Sequence, residues 1–141
     1  MKIYFLQFLL IVFFLTNCVT TQEAFDIEGH VFNLDNGTTV IVGFLNTDEA
    51  MYPGNFEGEP NSEFARYPEM AQRAGIEGTV VAYLNINEEG ELLESRITRG
   101  IGGGCDEAAL QIVRNSIYTP AKNQNADPVS ARHYVSVTFM L

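Results

Sequence analysis

The side chains able to do chemistry in this sequence are few: Cys18 and Cys105, His30 and His133, the glycine run Gly102-Gly103-Gly104, and a surplus of carboxylates. Glycines that open a helix can cradle phosphate, because bare backbone N–H groups and the positive end of the helix dipole favour an anion. This run lacks the Lys-Ser/Thr pair of a P-loop and the GxGxxG spacing, and Asp106 and Glu107 already put negative charge at the helix start. It reads as a strand-to-helix connection. Neither histidine has Cys, His or carboxylate neighbours at ligand spacing, so no metal is expected. No Ser, Cys, His or acidic pair stands at triad or dyad spacing, so no catalytic residue is assigned and the chain reads as non-enzymatic, without a cofactor. Cys105 reads as a small buried apolar side chain.

Cys18 is the exception, because of what precedes it. Met1-Lys2 is followed by an apolar run, Ile3 to Leu15, broken only by Gln7. As a helix that run rises roughly 20 Å, short of the bilayer core of about 30 Å, and it fits the apolar region of a secretory signal. Leu15-Thr16-Asn17-Cys18 then resembles a bacterial lipobox, with Asn17 where a smaller residue is usual. Residues 1–17 are expected to be a lipoprotein-type signal peptide and Cys18 the lipid-bearing residue. The chain is then a membrane-anchored lipoprotein of the cell envelope.

The formal net charge is -10. Residues 18–62 hold eight Asp or Glu and no Lys or Arg, whereas residues 63–141 hold ten acidic and seven basic side chains. Nucleic acid is therefore excluded as an expected partner.

Stepping from these residues to the elements that carry them, 18–25 is a polar tether and 26–45 a β-hairpin turning at Asp35-Asn36-Gly37. Val40 to Leu45 is almost continuously apolar, so its strand must pack on something. Residues 46–64, rich in Gly, Pro, Asn and acid, read as a linker. From 65 to 141 the pattern is a short helix after Tyr67 with Pro68 at its first position and Gly75 past its end, then a strand from Thr79 to Ile86. A second strand, Glu91 to Thr98, places Leu93 and Ile97 inward. A helix from Cys105 to Ser116 carries Ala109, Ile112 and Val113 inward, and a last strand, His133 to Leu141, alternates Val135, Val137 and Phe139 with Tyr134, Ser136 and Thr138.

Tyr67-Pro68-Glu69, Arg73-Ala74-Gly75, Ile76-Glu77-Gly78-Thr79-Val80, Asn87-Glu88-Glu89-Gly90, Gly104-Cys105-Asp106-Glu107-Ala108-Ala109-Leu110 and Tyr118-Thr119-Pro120-Ala121-Lys122, in that order, resemble the C-terminal domain of TonB. That resemblance covers roughly residues 65–141. It implies an α+β, two-layer domain: a three-stranded antiparallel sheet with two helices, here preceded by the β-hairpin. It also implies a role facing the periplasm of a Gram-negative bacterium, where an extended transporter peptide, the TonB box, adds to an exposed last strand. Carried over, the peptide-binding residues are Tyr134, Val135, Ser136, Val137, Thr138 and Phe139, with Tyr67 and Pro68 beside them. Arg66 and Tyr118 depart from the family's usual residues, and neither TonB's transmembrane helix nor its Pro-rich spacer is legible, so an accessory role is expected. Two readings compete: an energy transducer whose N-terminal anchor stays uncleaved, and a structural homodimer formed through the last strand.

Overall fold

The computed structural model describes residues 29–35, 37–45 and 54–141. The expected signal peptide, Cys18 and the tether lie outside them. β1 (Gly29–Asn33) and β2 (Thr39–Leu45) form an antiparallel hairpin. Its turn is closed by Gly37 N–H to Leu34 C=O at 3.0 Å and Leu34 N–H to Thr38 C=O at 2.9 Å. Gly37 sits at φ +82°, an angle that only a residue without a Cβ adopts freely.

Helix α1 (Glu69–Ala74) begins one residue later than expected, with Pro68 as an extended N-cap at φ -60° and ψ 132°. A proline ring fixes that φ and forfeits only a donor that has no partner at a helix start. The helix ends at Gly75 in the left-handed conformation, where Gly75 N–H bonds Gln72 C=O and Ile76 N–H bonds Ala71 C=O. β4 (Gly78–Ile86) and β5 (Leu92–Arg99) follow as an antiparallel pair, then helix α2 (Cys105–Arg114). Three strand pieces come next: β6 (Tyr118–Thr119), β7 (Ala121–Lys122) and β8 (Pro128–Val129). β9 (Ala131–Met140) closes the described chain.

The main sheet has five strands, in the order β1-β2-β9-β4-β5, all antiparallel. The three-stranded unit expected from the sequence is present as β9-β4-β5, and the hairpin extends it through β2, paired with β9 from Thr39↔Met140 to Leu45↔Tyr134. Both helices lie on one face. The core between the layers comprises Val40 and Val42 from β2, Val80, Ala82, Leu84 and Ile86 from β4, Ala109, Ile112 and Val113 from α2, and Val135, Val137 and Phe139 from β9. All are fully buried.

Two expectations are corrected. Leu93 does not face inward; it is 60% exposed. The pairing passes from Asn85↔Glu94 to Ile86↔Leu92, so Leu93 is the extra residue of a β-bulge and Leu92 takes the inward position. Periodicity counted along the sequence cannot see such an insertion. The second correction concerns residues 54–64, expected as linker. β3 (Asn55–Phe56) pairs with β6, Phe56 and Pro60 are buried, and Ser62–Phe64 forms a 3₁₀ turn capped by Asn61, whose side chain accepts from Glu63 N–H. Phe56 is the cause, with its ring 4.8 Å from Phe44 and 5.3 Å from Tyr118. One aromatic anchor in a polar stretch outweighs the composition around it.

Phe56→Ala should therefore cost about 3 kcal/mol, as truncation of a buried phenylalanine does. Urea unfolding of the variant checks it, since a residue in a true linker would leave the midpoint unchanged.

Candidate functional site

β9 is the strand on which the expected peptide-binding residues lie, and the expectation that it is an exposed edge is corrected. It is the middle strand, paired with β2 on one side and β4 on the other. In an antiparallel sheet each residue directs its N–H and C=O to one neighbour, and successive residues alternate. Starting from the Leu34–Thr38 bond, that alternation points Val40 and Val42 toward β1, and Thr39, Ile41, Gly43 and Leu45 toward β9. On β9 the main chains of Tyr134, Ser136, Thr138 and Met140 answer to β2, and those of His133, Val135, Val137 and Phe139 to β4. Ser136 Oγ adds a bond to Gly43 C=O at 3.3 Å.

The side chains divide by face. Val135, Val137 and Phe139 are core residues with no exposure. Tyr134, Ser136 and Thr138 lie on the opposite face, where Tyr134 stands edge-on to Tyr83 at 5.7 Å and Arg96 lies 4.5 Å over the Tyr83 ring. Thr138 Oγ1 and Thr79 Oγ1 are 2.8 Å apart. Tyr67 is buried, its ring 5.4 Å from Phe139 and its hydroxyl donating to Ile76 C=O at 2.5 Å. Burial, then the nearby Cys105 and Glu77, raise its pKa above the ordinary value, so the phenol stays a donor. Pro68 is half-buried at the start of α1. Tyr67 thus supports the end of β9 from the helix layer, while Pro68 starts α1 next to Gly104 of the glycine loop.

The glycine loop binds an anion of its own. Asp106 Oδ1 accepts Ile101 N–H at 2.8 Å and Gly102 N–H at 3.2 Å, so a carboxylate of α2 occupies the place a phosphate would take. Gly103 sits at φ +63° with its backbone against α1, where an added Cβ would come within 3.1 Å of the Ala71 Cβ. Cys105 is fully buried, and burial followed by the adjacent Asp106 raises its pKa, which keeps it a thiol rather than a nucleophilic thiolate. Among the described residues, no group of three or more His, Cys, Asp or Glu could hold a metal ion. None of their helices is long and apolar enough to cross a membrane.

His133 is a buried polar group that the sequence did not single out for packing. It is 1% exposed, lies 5.5 Å from the Phe44 ring, and neither ring nitrogen has a hydrogen-bond partner among the described residues. Burial lowers its pKa. Sequence reasoning also missed β2 as the neighbour of β9. A signal was present, since Val40 to Leu45 is apolar at nearly every position, which suits a strand inside a sheet better than one at its rim.

A family model described as the Gram-negative bacterial TonB protein C-terminal matches residues 64–141, which is β4, β5, β9, both helices and the pieces between them. Neither the curated proteins nor the solved structures contain a match.

The buried imidazole makes stability pH-dependent with a definite sign. The folded state favours neutral His133, whereas the unfolded chain takes up the proton near pH 6.5, so stability is complete above that pH and falls as the pH drops below it. Melting temperatures between pH 8 and pH 5 (conditions of about that range bracket the ordinary value) should show the decline in the native protein and a flatter profile in His133→Phe.

Proposed function

The chain belongs to the Gram-negative TonB C-terminal family, and on that premise we propose that it is a lipid-anchored peptide-binding module, accessory to transport across the outer membrane. Membership makes it a TonB-like protein of the Gram-negative cell envelope associated with transport. The finer reading adds three things: an anchor at Cys18, an extended transporter segment as ligand, and strand addition as the mode of binding.

The observation that supports it is a family sheet that is open at its sides. An unpaired strand edge offers N–H and C=O groups in register, so the backbone supplies affinity while alternate side chains supply selectivity. In this chain the β9 ladder is occupied by β2. The residues from Tyr134 to Phe139 therefore act one step removed. The main chains of Tyr134, Ser136 and Thr138 align the hairpin, Val135, Val137 and Phe139 tie it to the core, and Tyr67 braces the strand end, with Pro68 opening the helix that follows it. The incoming segment adds on the hairpin side of the sheet. The module carries out recognition and no bond-making chemistry, so its natural partners are a transporter segment of the TonB-box kind and, through acylated Cys18, a membrane.

Two measurements test this. Cys18→Ala should release the protein from envelope membranes and abolish fatty-acid labelling. Titration calorimetry of the folded protein with peptides copied from the N-terminal plugs of outer-membrane transporters should show binding. Folded protein that binds none of them and instead sediments as a dimer through its strands would sink the peptide-binding reading.

A further inference from the structure

Among the described residues the main sheet has two outer strands, β1 and β5, and they differ in how open they are. β5 is blunted in the ways edges usually are. It carries Glu94, Arg96 and Arg99, and it is bulged twice, at Leu93 and between the pairs Val81↔Arg99 and Ala82↔Ile97. β1 carries none of these devices. It pairs with β2 without a register shift from Gly29↔Gly43 to Asn33↔Thr39 and contains no Lys, Arg, Asp, Glu or Pro. The alternation fixed by the Leu34–Thr38 bond turns the N–H and C=O groups of Gly29, Val31 and Asn33 away from β2. Val31 is 56% exposed, and on the helix side Phe32 is only partly buried against the core.

The charge of the sequence on either side of β1 selects its occupant. Glu23, Asp26 and Glu28 precede β1 in the sequence, exposed Asp35 follows it, and no Lys or Arg occurs between residues 18 and 62. A second copy would bring together two segments that are both acidic and both without Lys or Arg, which is repulsive. A segment carrying positive charge at both ends meets the complementary pattern. Its inward side chains would extend the core over Phe32 and its main chain would complete the ladder.

We propose that β1 is the strand that receives the partner, and that the partner is an extended segment with an alternating apolar centre flanked by Lys or Arg. The inference rests on the strand-addition reading above and deepens it by naming the strand and the charge of the ligand.

The test uses the folded mature chain and two synthetic peptides of about ten residues, long enough to span β1 at about 3.3 Å per residue. Both share a centre of alternating valine and threonine, one with lysines at its ends and the other with glutamates. The lysine peptide should bind at least about tenfold more tightly at low salt, with the gap narrowing as salt screens the charges. Val31→Pro removes a donor that points outward, so circular dichroism should remain native while binding falls about tenfold or more. Amide exchange at Ser136 and Thr138 should stay slow in the complex, because the β2–β9 ladder is intact. Three results would overturn the proposal. If Val31→Pro binds normally while Ser136 and Thr138 lose protection as peptide is added, the segment replaces β2; strand addition then survives and the β1 assignment falls. If neither peptide binds although the protein is folded, the underlying reading falls too. If the native chain sediments as a dimer that Val31→Pro dissociates, a second copy is the occupant.

Discussion

Main-chain pairing on both sides of β9 is the constraint on which the rest of this molecule depends. A buried peptide group without a partner costs free energy comparable to a lost hydrogen bond. β9 runs through the middle of the structure, with Val135, Val137 and Phe139 fully buried beneath it. β4 answers one set of its main-chain groups and β2 the other. Once both neighbours are in place, the inward positions of three strands share one surface, and helix α2 covers it with Ala109, Ile112 and Val113. The hairpin is thus part of the core through Val40 and Val42, although it lies outside the stretch matched by the family model.

Much of this was legible in the residues. The alternation in β4 and β9, the apolar stripe of α2, and Gly75 at the end of α1 each follow from local geometry that the sequence carries directly. The hairpin was legible from Asp35-Asn36-Gly37 and its flanking strands, but its docking place was not. The register between Thr39 and Met140 depends on which apolar faces meet across the fold, and no local pattern encodes that. Leu93 was misplaced for a related reason, since a bulge exists only relative to a partner strand. Phe56 was hidden because a single aromatic residue in a stretch of Gly, Pro and acid has no periodicity to betray it.

The family was legible in the sequence, while the place of its last strand in the sheet was not. Family likeness directed attention to the last strand, and in this chain the hairpin moves the open edge of the sheet outward by two strands, from β9 to β1. The charge pattern, which in the sequence served chiefly to exclude nucleic acid, takes on meaning beside that edge. An acidic segment without Lys or Arg flanks the unblunted strand, while the strand at the opposite side carries Arg96 and Arg99. The glycine loop shows the opposite outcome: a motif that could bind an anion is satisfied internally by Asp106.

The order in which these strands leave the ribosome bears on when the sheet can close. β9 is the last of the described strands to be made, and it is the one that both β2 and β4 require. Thr39 waits for Met140, about a hundred residues later, and contacts so distant in sequence form slowly because a large loop must close first. An isolated hairpin is marginal in water, so β1 and β2 cannot set alone. The five-stranded sheet is therefore complete only after the final strand appears, which leaves β2 and β4 each without one neighbour until then.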